Sequence, residues 1–530
     1  MIDSQLNNDI AKVDARPART VFIMMSIMVI GKVLGLLRER MQGITFGAGT
    51  PEGTAFVQAS ALPRNFLDIL FAAAFSASFI PVFSSYLETK GKREAFDLAS
   101  LFISVSLVLT TVVTVAAVVF ATPLYDLIYI ILPGLFSPGY GTVDSYTRLL
   151  GIELLRYMFP LMIISGVAFS ITGVLQSLGE FRLPAAMSVV SNGFILLYYF
   201  LFVDRFGIHG LAVAFLIGWA MQVLIQVPWL VKHKFRFRFR INLRDSGLRQ
   251  IGALTLPVMV ASWILPVNFL VNLSAVGSLY GGDYGATAMR FGHTLFAIVS
   301  GVFILSVGNV IFPKLSRQAA NLDREGFRAS LQETVRVLFF FLLPLSFGMM
   351  ALNQPLVQLI FGGRLFCDTA VDITATALFF FSIGTVGYGL QVILCRACFA
   401  QKDGRTPMVA AIAAIVVNAV LSFALLHMEI AGPALASAIG ITLCSGVMIV
   451  TLTRKGYLSW SKVLIADIGK MAVLAVFMFF VVRHILGRLS ESPLFLQVLI
   501  PAATGGALYI VGCAIFKMKE LEWVKANFKR

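Results

Sequence analysis

Long apolar runs separated by short polar or Gly/Pro-rich breaks follow one another along most of this chain. A helix needs roughly 20 residues to cross a hydrocarbon core of about 30 Å. The pattern predicts fourteen membrane-spanning helices, at residues 20–46, 55–86, 96–122, 147–176, 183–204, 207–231, 250–276, 282–313, 329–353, 370–400, 407–428, 432–453, 463–487 and 493–517. Prolines and glycines interrupt the apolar segment Tyr125–Tyr146, which favours a helix lying on the outer face over a further span.

Basic residues are concentrated in alternate loops, which predicts the orientation of the helices. The loops after even-numbered helices contain Lys90, Lys92, Arg93, Arg182, the tract 232–240, Arg244, Arg249, Lys314, Arg317, Arg324, Arg328, Lys402, Arg405, Arg454, Lys455 and Lys462. The opposite loops contain little beyond Arg205, Arg364, Arg483 and Arg488. Since basic loops remain in the cytoplasm, both termini are predicted to be cytoplasmic, which requires an even number of spans.

The tract KHKFRFRFR at 232–240 alternates phenylalanine with arginine. One interpretation is a topology anchor in a long central loop. The other is a contact with anionic lipid, which stabilises by about 1 kcal/mol per basic residue near the membrane surface. Both interpretations stay open at this stage, and the first is favoured.

Two motifs recur at almost the same offset, which predicts an internal repeat. The turn Glu180–Pro184 (EFRLP) recurs as Asp403–Pro407 (DGRTP), 223 residues later. Small and apolar residues of Ile208–Gly218 recur in Ile430–Gly440, 222 residues later. The offset carries predicted helix 4 onto 10 and helix 6 onto 12, so the two halves have the same orientation.

The repeat predicts an all-α polytopic membrane protein with two six-helix lobes in parallel repeat and two additional C-terminal helices. The predicted divisions are an N-terminal lobe at 1–231, a basic cytoplasmic loop at 232–249, a C-terminal lobe at 250–454, and helices 13 and 14 with a cytoplasmic tail at 455–530. No cleaved signal peptide is expected, because the first residues are polar and of mixed charge.

Composition agrees with this interpretation and excludes a soluble globule. Hydrophobic residues make up 58% of the chain and charged residues only 13%. The net charge of +15 comes from the loop clusters, so no nucleic-acid partner is expected. The spacing of Cys395 and Cys398 is interpreted as helix packing, because both lie in an apolar segment.

Several ionisable residues nevertheless fall inside the predicted spans. They are Lys32, Arg38 and Glu39 in helix 1, Arg64 and Asp68 in helix 2, Glu153 and Arg156 in helix 4, Arg290 in helix 8 and Arg396 in helix 10. A Lys or Arg at a helix centre costs about 2.5–3.5 kcal/mol, so such residues face a protein interior or a hydrated cavity. Lys32 and Glu39 are seven apart and are predicted to share one helical face, while Arg64 can pair with Asp68 and Glu153 with Arg156.

A cavity with more cations than acids is suited to an anionic ligand. Guanidinium groups match phosphate oxygens particularly well. The chain has no phosphate-binding loop and no nucleophile elbow, so ATP hydrolysis and hydrolytic chemistry lack support. His293 lies three residues from Arg290 and is interpreted as packed, since a single histidine on an apolar helix seldom does more.

In the ionisable residues of its predicted spans and in the segments around them, the chain resembles the MurJ (MviN) family of lipid II flippases within the MOP exporter superfamily. The resembling segments are GKVLGLLRE at 31–39, FGAG at 46–49, LP at 62–63, AFSASFIPVF at 74–83, LLRYMFP at 154–160, LPVMVASWILPVNFLVN at 256–272, LSVGNVIFPKLSR at 305–317 and RACFAQKDGRTP at 396–407. Their order and spacing extend over nearly the whole chain.

The resemblance implies a lipid-linked cell-wall precursor carried across the bacterial cytoplasmic membrane, with a groove of the two extra helices holding the lipid tail. It implies that Lys32, Arg38, Glu39, Arg290 and Arg396 bind substrate, and Arg64 and Asp68 of helix 2 are predicted to bind it as well. The family's helix 2 arginine pair aligns with Leu67 and Asp68, so Arg64 is hypothesised to replace the missing cation. Expected partners are lipid II or a related polyprenyl-diphosphate-linked saccharide, membrane lipids and cell-wall synthesis enzymes.

No cofactor is expected, and the membrane potential or a coupling ion is expected to drive transport.

The alternatives to a lipid II flippase are a MOP flippase for an O-antigen or capsule precursor, a membrane-embedded glycosyltransferase or polymerase, and a scaffold for cell-wall enzymes. An enzyme would need a catalytic acid in an outer loop, where Asp283, Asp368 and Asp372 lie outside any recognisable motif. A scaffold would leave the arginines inside the spans unexplained.

Overall fold

The computed structural model describes residues 17–47, 49–67, 78–132, 143–277, 279, 284–363, 366–401, 403–516 and 518. Over these residues the secondary structure is helical apart from one isolated β-bridge between Gly363 and Phe366. The all-α prediction is confirmed. Two compact units are formed, the first by Met1–Phe46, Pro51–Leu127 and Asp144–Pro266, the second by Gly47–Thr50, Ile128–Val143 and Val267–Arg530.

The first unit contains the helices of the predicted N-terminal lobe and the start of the next. They are α1 Pro17–Phe46, α2 Pro51–Leu67, α3 Ile80–Thr89, α4 Lys92–Val119, α5 Ala121–Asp126, α6 Ser145–Met158, α7 Leu161–Ser177, α8 Arg182–Leu201, α9 Val203–Leu224, α10 Val227–Lys232 and α11 Ser246–Ser262. A short π-helix, Leu127–Ile131, follows α5. Pro160 separates α6 from α7, because a proline cannot supply the backbone N–H that a continuous helix needs.

The second unit contains the remaining helices. They are α12 Ile264–Val276, α13 Gly285–Ala320, α14 Arg324–Ala351, α15 Asn353–Phe361, α16 Asp368–Ile383, α17 Thr385–Ala400, α18 Arg405–Ala424, α19 Ala431–Arg454, α20 Lys462–Arg488 and α21 Leu494–Ile515. Helices α16 and α17 meet at an angle of 47°, with Gly384 between them.

The protein is a multi-pass membrane protein. In the described ranges nine helical segments are long and apolar enough to span a membrane, with α6 and α7 counted as one segment and α9 and α10 as another. The number is ten if α16 and α17 are one span. The count of fourteen spans, the four divisions of the chain and the cytoplasmic position of the termini stay predictions. Predicted helix 2 is represented by α2 and α3, with 68–77 between them outside the described residues.

The two predicted repeat turns adopt the same backbone geometry. The Glu180 N–H donates to the Leu175 carbonyl over 2.9 Å, and the Asp403 N–H donates to the Cys398 carbonyl over 2.9 Å. Each acid then accepts a backbone N–H of the helix that follows, from Arg182 over 2.8 Å or from Thr406 over 3.1 Å. Bonds of this type satisfy backbone groups that a helix end leaves unpaired. At both places in the chain, the same short motif therefore ends one helix and starts the next.

The second motif also repeats in conformation. Gly207 has φ 53° and ψ −142°, and Glu429, 222 residues later, has φ 53° and ψ −136°. Glycine adopts positive φ readily, whereas a side chain there is strained. The same backbone conformation therefore bends α9 near its start and precedes α19, although only the first position has the glycine that suits it.

Helices α20 and α21 pack on α14 through a buried cluster that includes Phe340, Met478 and Tyr509. An added Cβ at Gly505 would lie 2.6 Å from Val482, so α20 and α21 approach closely at this glycine. Arg336 of α14 also forms an ion pair with Asp467 of α20, with Nη2 and Oδ2 3.0 Å apart. Apolar packing and one ion pair thus hold the C-terminal helix pair on the second unit.

Candidate functional site

Helix α1 contacts α8 at two glycines of the segment GKVLG. A Cβ at Gly31 would lie 2.2 Å from the Ser188 hydroxyl oxygen, and one at Gly35 would lie 3.3 Å from Nδ2 of Asn192. Small residues four apart let membrane helices approach closely. This contact fixes α1 so that the next turn, with Arg38 and Glu39, lies beside α8.

The Arg38 guanidinium is held by partners from two helices. Its Nη2 donates to Oε1 of Glu39 over 2.5 Å, and its Nη1 donates to Oδ1 of Asn192 over 2.9 Å. Asn192 in turn donates to the Gly31 carbonyl over 3.3 Å. The guanidinium carbon lies 5.2 Å from the centroid of the Phe215 ring on α9. We name Arg38, Glu39 and Asn192 the α1–α8 cluster.

The cluster is largely removed from solvent. The side chains of Arg38 and Glu39 are 11% and 3% exposed. Burying a charge is unfavourable unless it is paired and hydrogen-bonded, and here each charge has the other as partner. Arg38 Nε and both amide atoms of Gln42, one turn further along α1, have no hydrogen-bond partner within the described part of the chain. The hydrogen bonding of these buried polar atoms is therefore incomplete within the described residues.

Lys32 lies on the same helix but in a different environment. It is exposed, whereas Glu39 is buried. Because α1 is continuous from Pro17 to Phe46, residues seven apart lie on nearly the same side of it, yet the neighbours of α1 bury Glu39 and leave Lys32 open. Arg64 is partly buried on α2, next to Pro63, and its predicted partner Asp68 lies outside the described residues.

In the second unit, Arg290 and Arg396 occupy separate places. Arg290 is 5% exposed near the start of α13. The Arg396 guanidinium of α17 lies over Gly308 of α13, where a Cβ would be 2.7 Å from Nη1. Eighteen residues of helix separate Arg290 from Gly308, a distance of about 27 Å at 1.5 Å per residue. The two arginines are therefore not part of one cluster within this unit.

His293 of α13 packs among aromatic side chains. The His293 ring lies among Phe269, Phe296 and Phe381, with centroid distances of 5.0, 6.2 and 5.4 Å. Its interpretation as a packed residue is confirmed.

The predicted pairing of Glu153 with Arg156 is not formed. Oε1 of Glu153 lies 3.5 Å from Nε2 of His209, and Arg156 donates to the Thr122 hydroxyl over 3.3 Å. Sequence spacing predicted a contact within α6, but neighbouring helices supply the partners.

A second buried polar cluster, which sequence reasoning missed, joins α12, α18 and α19. Asn272 donates to the Ser437 hydroxyl over 2.7 Å, and its Oδ1 accepts from Asn418 over 3.2 Å and from Ser422 over 3.0 Å. We name these four residues the α12–α18 cluster. Their only signal in the sequence, like that of Asn192 and Gln42, is an uncharged polar residue inside an apolar run.

Comparison with known proteins identifies the family. The family model described as lipid II flippase MurJ matches residues 44–500. The chain belongs to the MurJ family. The lipid II flippase MurJ of Burkholderia cenocepacia is 24% identical over 468 residues, which cover 86% of this chain and 88% of that protein. The probable lipid II flippase MurJ of Vibrio cholerae is 27% identical over 421 residues, covering 77% and 78%.

Solved structures agree with the family assignment. A lipid II flippase MurJ in an inward closed conformation matches with a TM-score of 0.77 and 22% identity, over 94% of this chain and all of that one. An inward-facing multidrug resistance MATE family transporter of the MOP superfamily matches with a TM-score of 0.66 and 14% identity, over 82% and 97%. The MurJ relatives are named as flippases, which are transporters and not enzymes, and this chain shares the MOP-type transporter fold.

Proposed function

We propose that this protein moves lipid II from the inner to the outer leaflet of the bacterial cytoplasmic membrane. The observation that carries the proposal is the α1–α8 cluster, a buried guanidinium fixed between two helices in a chain of the MurJ family. A positioned guanidinium suits the diphosphate of a lipid-linked precursor, because its N–H groups match phosphate oxygens. Nε of Arg38 and the amide of Gln42 retain hydrogen-bonding capacity for such a ligand.

Transport proceeds by alternating access. The head group enters a cationic cavity from the cytoplasm while the polyprenyl chain stays in the lipid, and the two lobes then close inside and open outside. Lys32, Arg38, Arg64 and Arg290 supply positive charge to this cavity, and Arg396 supports it near the cytoplasmic side. Moving an anion outward is favoured by about 2.3 kcal/mol per charge per 100 mV, so the membrane potential drives the cycle.

A flipping assay in reconstituted vesicles tests the proposal. Head-group-labelled lipid II is incorporated, and its accessibility to an external quencher is followed with purified protein in the bilayer. Wild-type protein should expose inner-leaflet label, and Arg38→Ala and Arg290→Ala should reduce this to the protein-free rate. Arg156→Ala is the matched control, since that exposed arginine donates to Thr122 and lies outside the α1–α8 cluster. Undiminished flipping by both variants would contradict the cavity assignment.

The same vesicles separate the proposal from its nearest alternative, a MOP flippase for another polyprenyl-diphosphate-linked saccharide. Unlabelled lipid II should compete with the labelled lipid, whereas an O-antigen or capsule precursor should not. The reverse order of competition would assign the alternative substrate.

The proposed orientation can be tested with a native cysteine. Cys367, directly before α16, is the exposed one of the five cysteines, and the other four are buried. A hydrogen bond from the Ala370 N–H lowers the pKa of the Cys367 thiol below its ordinary value, which favours reaction with maleimides. With cytoplasmic termini this residue lies outside. A membrane-impermeant maleimide should therefore label intact cells, and Cys367→Ser should remove the label; labelling only after lysis would reverse the orientation.

A further inference from the structure

We propose that the segment between α10 and α11, residues 235–243, is a binding site for anionic phospholipid at the membrane surface. This is independent of which lipid the protein transports. The segment FRFRFRINL alternates apolar and basic residues and then continues into α11. Its side chains and its position along α4 both support a lipid partner.

The segment lies along α4 in an almost extended conformation. The Phe235 ring packs on the Phe96 ring with centroids 5.2 Å apart, and the Arg240 N–H donates to the Ser104 hydroxyl over 3.1 Å. Phe96 and Ser104 are eight residues apart, about 12 Å along a helix. Five residues would cover about 7.5 Å as a helix and about 16.5 Å when fully extended, so the backbone here is more extended than a helix. Successive side chains of an extended backbone point to opposite sides.

The apolar side chains of the segment are exposed beyond its anchored start. Phe235 is buried, whereas Phe237, Phe239, Ile241 and Leu243 are 47%, 59%, 55% and 67% exposed. Four large apolar side chains at every second position are unfavourable in water, because each leaves apolar surface hydrated. A bilayer removes this surface from water without another protein chain.

The level of the segment along α4 agrees with contact to the bilayer. Helix α4 contains no charged residue after Asp97, and Ser104 lies about 10 Å beyond that aspartate at 1.5 Å per residue. The hydrogen bond to Ser104 therefore places Arg240 beside the apolar part of α4. The exposed phenylalanines of the segment lie between this level and the charged start of the helix.

The arginines determine which lipid fits. Arg236 and Arg238 are exposed and form no ion pair within the described ranges, and Arg240 lies 3.4 Å from Asp97 with 55% of its side chain exposed. Guanidinium groups beside an apolar surface can bind phosphate while their neighbours enter the acyl region. An anionic phospholipid supplies both a charged headgroup and apolar acyl chains, whereas a soluble acidic protein supplies no acyl chains.

Cysteine scanning of residues 236–243 in a Cys367→Ser background tests the position of the segment. Each variant carries an environment-sensitive fluorophore and is reconstituted in vesicles of phosphatidylglycerol and phosphatidylcholine. Labels at 237, 239, 241 and 243 should be quenched by spin-labelled acyl chains, and labels at 236 and 238 by aqueous iodide. Iodide quenching of all positions, which docking of the segment in water or on a soluble partner would give, overturns the proposal.

Native mass spectrometry of the full chain tests headgroup preference. Arg236→Gln/Arg238→Gln/Arg240→Gln should weaken phosphatidylglycerol binding by about fivefold per arginine, since a basic residue near the surface contributes about 1 kcal/mol. Binding of phosphatidylcholine should change little. The control Arg328→Gln/Arg454→Gln/Lys462→Gln removes three exposed charges elsewhere and should retain phosphatidylglycerol. Equal losses in both triple variants would contradict a site at this segment.

Discussion

The two units each contain a buried polar cluster where a helix of the predicted repeat meets its neighbours, but the clusters differ in charge. In the α1–α8 cluster a guanidinium and a carboxylate bind one another and one asparagine. In the α12–α18 cluster two asparagines and two serines bind one another, with no charge. Helices α8 and α18 begin at Arg182 and Arg405, which the 223-residue offset makes equivalent.

This difference indicates two roles for buried polar side chains. The amide of Asn272 is satisfied by three neighbours, so the neutral cluster joins α12, α18 and α19. The charged cluster also joins helices, but a buried ion pair is weak evidence for stability, since the desolvation of two ions opposes their attraction. We therefore infer that the charged cluster contributes mainly to transport and the neutral cluster mainly to stability.

The largest effect is expected at Arg38. Arg38→Ala leaves the carboxylate of Glu39, 3% exposed, without this cation and should lower the free energy of unfolding by about 3–5 kcal/mol. Flipping should fall to background. The double variant Arg38→Ala/Glu39→Gln removes both charges and should recover part of the stability but none of the transport. Thermal unfolding and vesicle flipping measured on the same preparations would separate the two effects, and transport by the double variant would contradict the inference.

A smaller effect, on stability alone, is expected in the neutral cluster. Asn272→Ala removes the acceptor of Asn418 and Ser422 and should lower the free energy of unfolding by about 1–3 kcal/mol. Flipping per folded molecule should stay near the wild-type rate. Ser165→Ala, which removes a buried hydroxyl without a partner within the described part of the chain, is the matched control and should be nearly neutral. A loss of flipping without a loss of stability would reverse the assignment.

The paired repeat turns offer a reciprocal test of strain. Gly207→Ala should destabilise and Glu429→Gly should stabilise, each by about 1–3 kcal/mol, because both positions have φ 53°. An added Cβ at Gly207 meets nothing within 4 Å, so the cost there comes from the backbone alone. Thermal midpoints of the two variants should move in opposite directions; a shared direction would show that the side chain of Glu429 outweighs its strain.

The smallest effect is a pH dependence at the second repeat turn. Burial raises the pKa of Asp403, but hydrogen bonds from Lys455 and Thr406 outweigh it and hold the pKa below its ordinary value. The hydrogen bond that Lys455 donates to Asp403 raises the pKa of Lys455. The stabilisation of the fold by Asp403 is thus fully present above the ordinary aspartate pKa and is lost as pH falls through the lowered pKa of Asp403. The stabilisation by Lys455 is fully present below the ordinary lysine pKa and is lost as pH rises through the raised pKa of Lys455.

Thermal unfolding across pH measures this interaction. Lys455→Gln should lower the midpoint slightly at neutral pH, and the difference from wild type should vanish in acid, where Asp403 is protonated. An exposed pair of this type contributes at most about 1 kcal/mol. Glu180→Gln is the comparison in the first turn, where the acid accepts backbone N–H groups of α8 instead. A difference that persists unchanged in acid would contradict the role of Asp403.

The sequence by itself determined the all-α membrane architecture and the equivalence of the two turns. Uninterrupted apolar runs leave a helix as the way to satisfy backbone groups in lipid, and caps and positive-φ positions act through neighbouring residues. Glu180 and Asp403 could therefore be matched before any contact between helices was known. The position of Arg38 inside an apolar run could likewise be recognised from the sequence alone.

Only the tertiary structure decided which side chains meet. Asn192 lies 154 residues from Arg38, and Asn272 lies 165 residues from Ser437, distances over which no local pattern acts. The glycines of α1 bring α8 close enough for a hydrogen bond. Glu153 pairs with His209 of α9 and not with Arg156 of its own helix. Sequence spacing defines faces of a single helix, but the choice among partners depends on packing between helices.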